Sequence, residues 1–409
     1  MPRRRPPPPL ILAPLLFAAC GGGEAEPWQA PLTEVTAAPT EGTWTSEAAL
    51  AVAADPDAVG VDADHHVVVV AGGVTYALEQ GALVPRPLYA EAGEPEVLGA
   101  ARAVAPKAAT GAWLATDAGL FSVDRHFVTR SPMSEVASDV GAVAEVAAGP
   151  LAGLWLVSQG VLHHATDALD ALSVPGLGQV SHFAVSADGA FLVAAQGATV
   201  RVLEPGDGGL VARDPSLALG TVHGLAGAPG AVWLATSTGL YKTDGAGFTR
   251  YTFGQASAPE VTQVAVDPAT GGVWAAAGGS LYYVQGNLLK RHGGAAGERG
   301  LVVDQLGDLY SMASGALIYR GTGATDGTAV TFGDVVPWIE ARCSACHSNQ
   351  TSDFRDYDVF ITRAEDALAR VRSGDMPRCA GSVRCPTEEA LAPADYAVLE
   401  QWIRDGMPQ

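Results

Sequence analysis

The sequence predicts an all-β, seven-bladed propeller followed by a small all-α domain. Three observations carry this. An apolar strand–turn–strand unit recurs seven times between residues 45 and 330, at intervals of 35 to 45 residues. The joins between apolar runs are glycine, aspartate and serine turns rather than helix caps. A stretch without cysteine from 21 to 342 then gives way to four cysteines within 43 residues, where the apolar spacing turns helical. A length of 409 residues already favours two domains over one.

The chain opens "MPRRRPPPPLILAPLLFAAC". Arg3, Arg4 and Arg5 form a charged start, and Leu10 to Ala19 form an apolar run too short to span a bilayer. The run ends "LFAAC" and continues "GGGEAEP", which resembles a bacterial lipoprotein signal, with Phe17 where that family usually has leucine. The resemblance implies a signal peptide over 1–20, with Cys20 lipidated as the mature N-terminus. An ordinary cleaved signal is the alternative, and both export the chain. Gly21 follows Cys20 in place of the aspartate that retains many such lipoproteins at the inner membrane. The resemblance therefore implies a periplasmic protein anchored by lipid, at the outer membrane rather than the inner. Residues 21–44 read as a flexible linker.

The repeat occupies 45–330. Its units are "HVVVVAGGVTYAL", "GAWLATDAGLFSV", "GLWLVSQGVLHHA", "AFLVAAQGATVRV", "AVWLATSTGLYKT", "GVWAAAGGSLYYV" and "GDLYSMASGALIYR". Their third positions, or the second in "AFLVAAQGATVRV", are Val68, Trp113, Trp155, Phe191, Trp233, Trp274 and Leu309. A further apolar strand precedes most units, as in "AVGVDAD", "HFAVSADG", "QVAVDPATG" and "LVVDQLGD", and a fourth follows several, as in "FTRYTF". Four short strands in about 40 residues is the period of a propeller blade. Such a blade buries its faces only against neighbours, so the array must close into a ring. Small residues on these strands suit narrow packing between blades. Residues 41–53, "EGTWTSEAALAVA", either supply the outer strand of the last blade or do not; the sequence leaves both open.

The units "VWLATSTGLYK" and "AWLATDAGLFS" resemble the propeller repeats of bacterial two-component sensor ectodomains. A second resemblance is weaker. Quinone-cofactor dehydrogenases repeat A-x-D-x-x-T-G-x-x-x-W; "AVDPATGGVW" (265–274) is one residue short before its tryptophan, and no other unit matches. The pairs His65/His66 and His163/His164 lie at strand ends, where solvated histidines and metal or haem ligands are the competing readings.

Residues 331–409 read as helical. "FGDVVPWIEARC" is an apolar helix leading into the cysteines, and "DYDVFITRAEDALARVRSG" places Phe360, Ala364, Ala367, Leu368 and Val371 at helical spacing before Gly374. "APADYAVLEQWIRDG" starts at a proline, stops at Gly406 and lines up Tyr396, Leu399, Trp402 and Ile403. Between the first two lies "CSACH", with Cys343, Cys346 and His347. Two thiols on one turn can each form a thioether to a haem vinyl group, and the adjacent histidine then sits under the iron. Chance supplies such a run on the order of once in a thousand chains of this composition. Zinc needs a second ligand pair, and Cys379 and Cys385 are spaced more widely than a knuckle.

The order helix, CxxCH, helix, Met-Pro, helix resembles class I cytochrome c. That resemblance implies one covalent haem c, with His347 and a methionine as iron ligands. The family's methionine precedes the last helix, which selects Met376 over Met407. In an exported chain "CAGSVRC" reads as a disulfide loop between Cys379 and Cys385 behind Met376. Trp402 and Ile403 are expected against the haem, and Arg378 and Arg384 either pair with its propionates or are solvated.

A net charge of −20 excludes nucleic acid as a natural partner and suits a redox partner with a basic face. No acid–base pair, nucleophile or substrate pocket is identifiable. The expected protein is therefore a non-enzymatic electron carrier whose propeller binds a partner. Two alternatives stand beside it: an oxidoreductase whose propeller passes electrons to the haem, and a redox sensor or scaffold.

Overall fold

The computed structural model describes residues 26–63, 66–79, 82–89, 97–124, 127–135, 137–165, 169–206, 209–268, 270–286, 288–294, 296–304, 307–321, 332–343, 353–372, 378–379, 383–384, 398–399 and 402–403. Seven antiparallel sheets follow one another along the chain, each beginning with its inner strand. Those inner strands are Pro56–Val61, Ala101–Pro106, Val140–Val146, His182–Val185, Val222–Ala228, Val261–Val266 and Arg299–Val303, and they number the blades 1 to 7. Seven apolar clusters fill the gaps between consecutive blades. The last joins Tyr310, Met312 and Leu317 of blade 7 to Val59, Val67 and Val69 of blade 1, which closes the ring.

Alternation along one strand serves two interfaces at once. In Ala231–Thr236, Val232 and Leu234 pack toward blade 4, while Trp233 and Ala235 pack toward blade 6. Both faces are buried, so these strands read as unbroken apolar runs. The repeated "ATxxG" has a local cause. Thr236 donates its hydroxyl to the carbonyl of Gly239 at 2.9 Å and accepts from the amide of Thr238 at 3.2 Å. Gly239 takes φ +135, which a side chain would oppose. Thr116 and Gly119 (φ +130) repeat the arrangement in blade 2.

The bulky third position also has a structural partner. Trp113, Trp155, Trp233 and Trp274 stand opposite Ala105, Ala144, Ala226 and Ala265 of the inner strands. A small inner residue makes room for a large one beside it. Counting back from the hairpin turn corrects two positions. Val193, opposite Ala184, and Tyr310, opposite Val302, occupy the place assigned to Phe191 and Leu309. The alignment counted forward from strand starts, which vary, whereas the turn fixes the register.

The expected linker over 21–44 is corrected from Glu26 onward. That segment carries β1 (Glu26–Pro27), β2 (Leu32–Val35) and β3 (Thr40–Glu41), which pair parallel with the outer strands of blades 4, 5 and 6. The following strand, β4 (Ser46–Ala51), is the outer strand of blade 7, antiparallel to Ala316–Gly321. The open question over residues 41–53 is thus answered: the N-terminal segment completes the ring. Edge strands demand partners, and those of blades 4 to 6 find them here.

The C-terminal module holds α1 (Phe332–Arg342), α2 (Tyr357–Phe360) and α3 (Ala364–Arg372), with 398–399 and 402–403 also helical. The helix expected over "DYDVFITRAEDALARVRSG" is broken at 361–363. There Thr362 turns its hydroxyl onto the Val359 carbonyl (2.9 Å), and the Arg363 amide closes a tight turn on Phe360. The all-α expectation needs a second amendment: Arg378–Cys379 and Val383–Arg384 form a two-stranded antiparallel ladder. Among the described residues no helix is long and apolar enough to cross a membrane.

Candidate functional site

The site begins with α1. Its buried residues Phe332, Val335 and Ile339 recur at three- and four-residue steps and share one face. The Cys343 amide continues the helix, donating to the Ile339 carbonyl at 2.8 Å. Its side chain is half-buried and packs against the module's apolar core. That core is aromatic. Trp402 is fully buried, stacked on Phe360 with centroids 5.6 Å apart and tilted against Phe332 at 5.5 Å. The last helical segment therefore lies on the first through Trp402 and Phe332. Trp402 is a core residue between helices, with Ile403 packed beside it. Phe354 and Tyr357 complete the cluster.

Cys346, His347, Met376, Cys385 and Met407 lie outside the described residues, as do Cys20 and His65. Cys379 pairs with Val383 in the short ladder, and Arg378 pairs with Arg384. The implied haem can still be tested against what surrounds its first thiol. Covalent attachment needs a thiol delivered at the end of a helix, beside an apolar wall that sheds water. Cys343 has both; in the sequence a second thiol for the other thioether and an imidazole for the iron follow it, outside the described residues. The surroundings of Cys343 fit the first thioether of a haem.

The propeller's own candidates resolve into structure. His66 donates its amide to Asp62 Oδ1 at 2.8 Å, and its Nδ1 lies 3.1 Å from Oδ2 of the same carboxylate, closing the turn of blade 1. His164 stacks on Trp155 at 4.0 Å and reaches the Ala152 carbonyl through Nε2. Burial lowers the pKa of His163, so that ring is held neutral. The near-match "AVDPATGGVW" is a capped turn: Asp267 accepts from the Thr270 hydroxyl at 2.7 Å and from the Tyr283 hydroxyl at 3.2 Å. Burial, with the Asp267 carboxylate alongside, pushes Tyr283 up to about 12. Among the described residues no three His, Cys, Asp or Glu side chains converge on a metal position.

One cluster escaped sequence reading. On the inner strands of blades 4 and 5, His182 and His223 come within electrostatic reach of one another, and burial together with His223 lowers the pKa of His182. His223 Nε2 lies 2.8 Å from Glu260 Oε1. The signal was present as a polar residue at the start of each inner strand, in "SHF", "VHG" and "PEV". A separate cleft of about 520 Å³ is lined by Gln263, Gly278, Glu298 and Arg299. Its polar groups are already committed: Gln263 to the Glu298 carbonyl and Leu301 amide, Arg299 to the Pro56 carbonyl, Glu298 to Arg320.

No protein-family model matches this chain, and no curated protein sequence matches it. Solved structures do. A streptogramin B lyase superimposes with a TM-score of 0.54 at 12% identity, over 68% of this chain and 97% of that one. Virginiamycin B lyase from Staphylococcus aureus gives 0.51 at 11% identity, over 68% and 99%. The WD40 propeller domain of Doa1 gives 0.52 at 13% identity, over 69% and 97%. The extracellular domain of the hybrid two-component system BT3049 from B. thetaiotaomicron gives 0.49 at 14% identity, over 66% and 40%. At such identities the likeness is one of fold, and the fold it places this chain in is the seven-bladed β-propeller.

Proposed function

We propose that this chain is an exported, lipid-anchored electron-transfer protein, with one covalent haem c in the C-terminal module and the propeller as the module that binds its partner. The observation that carries the reading is "CSACH", residues 343–347, set at the end of an amphipathic helix whose final cysteine packs on a separate helical core. When bound, the haem supplies a one-electron Fe(III)/Fe(II) couple. Cys343 and Cys346 would hold it by thioethers, and His347 and Met376 would be the iron ligands. A Cys379–Cys385 disulfide would stiffen the chain after Met376. The aromatic core of Phe332, Phe360 and Trp402 fixes α1, and through it the position of the first thiol, and keeps water from that side. Cys20, lipidated, would tether the chain at the outer membrane facing the periplasm. The acidic surface, with a net charge of −20, favours a partner with a basic face.

The intact mass of the periplasmically matured protein tests this. One haem should remain on the denatured chain and vanish in the Cys343→Ala, Cys346→Ala double variant. A chain mass without haem would sink the reading. An organic cofactor co-purifying with the propeller would move it to the oxidoreductase alternative.

A further inference from the structure

The N-terminal segment meets the ring in a regular way. It places Glu26, Glu34, Glu41 and Glu47 directly opposite Arg213, Arg250, Arg291 and Arg320, one arginine on each of blades 4 to 7. Arg250 and Glu34 are 3.2 Å apart, Arg291 and Glu41 3.7 Å, Arg320 and Glu47 2.9 Å. Residues 26–55 hold five carboxylates and no lysine or arginine. Between the glutamates, apolar side chains settle at the blade junctions: Trp28 and Ala30 at blades 4 and 5, Val35 at 5 and 6, Trp44 at 6 and 7.

The two halves of this segment are held differently. β4 makes a six-residue antiparallel ladder, and its arginine is buried, 3% exposed, and also gripped by Glu298 at 2.6 Å. β1, β2 and β3 are parallel and two, four and two residues long. The glutamates of all three pairs face water, but the arginines differ: Arg250 and Arg291 are 26% and 49% exposed against 3% for Arg320. Exposed pairs are weak and screened by salt, whereas buried ones are screened far less.

We propose that residues 26–41 are a releasable strap, held in register by Glu34 and Glu41, that can leave blades 4 to 6 without opening the ring. β4 remains as the closure. With Cys20 lipidated, which rests on the function proposed above, release would lengthen the membrane tether by the sixteen residues 26–41, roughly 55 Å when extended.

Amide hydrogen exchange on the purified full chain tests it. On raising salt from about 0.05 to about 1 M, amides of 32–35 and 40–41 should exchange several-fold faster, and those of 46–51 should not. Glu34→Arg should accelerate the strap amides about fivefold at low salt, and Arg250→Glu added to it should restore them toward the parent rate. The proposal fails if strap and β4 exchange together under every condition, or if the charge-swapped double variant is as fast as the single. Both readouts are independent of haem, so such a failure would leave the electron-transfer reading standing.

Discussion

Gly227 lies on the inner strand of blade 5, where blades converge toward the axis. A Cβ placed there would sit 1.9 Å from the carbonyl oxygen of Val185 on blade 4. Cβ atoms do not approach other atoms closer than about 3 Å, so Gly227→Ala must part the two strands by at least about 1 Å. The obstacle is backbone, and no side chain can rotate away from it. Parting the strands stretches the neighbouring hydrogen bond from the Ala187 amide to the Ala228 carbonyl, now 3.0 Å. It also loosens the cluster that holds Ala184 against Leu225. Overpacking of this kind costs about 1–3 kcal/mol, and a weakened hydrogen bond adds about 1 kcal/mol. A loss of about 3 kcal/mol lowers Tm by roughly 6–12 °C in a domain of this size. Gly224, three residues earlier on the same strand, is the control, because a Cβ there meets nothing within 4 Å. Gly224→Ala should leave Tm unchanged or raise it slightly. Thermal unfolding of both variants by circular dichroism decides the matter. If Gly227→Ala costs under about 1 kcal/mol, or Gly224→Ala costs as much, the account of how the blades pack is wrong.

Three further outcomes are expected. Arg320→Met strands the Glu298 carboxylate, only 10% exposed, and should destabilise the ring by about 3 kcal/mol in urea unfolding; Arg320→Met with Glu298→Gln should recover part of that loss. Burial holds His163, His182 and His292 below the ordinary 6.5, so the unfolded chain binds protons that the fold refuses. Their contribution is complete above pH 6.5 and is lost as pH falls below it, so Tm at about pH 5 should lie under Tm at about pH 7.5, with His292→Phe narrowing the gap. Equal Tm values at both pH would contradict this. A non-reducing digest of the matured protein should release one peptide joining Cys379 to Cys385, and separate free-thiol peptides would count against the disulfide.

The ring was legible because its physics repeats. All seven blades repeat one order of apolar strands and tight turns, four of them set a tryptophan beside an inner alanine, and two share the Thr–Gly turn, so the copies reinforce one another. The strap was not legible. Its strands are two to four residues long, and their partners lie some 200 residues away, as with Thr40 and Leu289 at a separation of 249. The glutamates at 26, 34, 41 and 47 are visible in the sequence, but without the facing arginines their spacing has no meaning. The single helix expected over 356–374 failed because apolar periodicity does not register a threonine hydroxyl competing for a backbone carbonyl. "CSACH" stood out for the opposite reason: its chemistry is contiguous, needing one turn of chain and no tertiary partner. The iron's second ligand depends on how the module folds, and spacing alone selects Met376 only through resemblance.

The central claim is the haem, and the optical spectrum of the periplasmically matured protein, oxidised and reduced, tests it most directly with Met376→Ala measured alongside. The account predicts the bands of a covalent c-type haem that ascorbate reduces, and a methionine–iron charge-transfer band present in the parent and absent from Met376→Ala. A band that survives in the variant would remove Met376 as ligand, and a protein carrying no covalent haem would contradict the account itself.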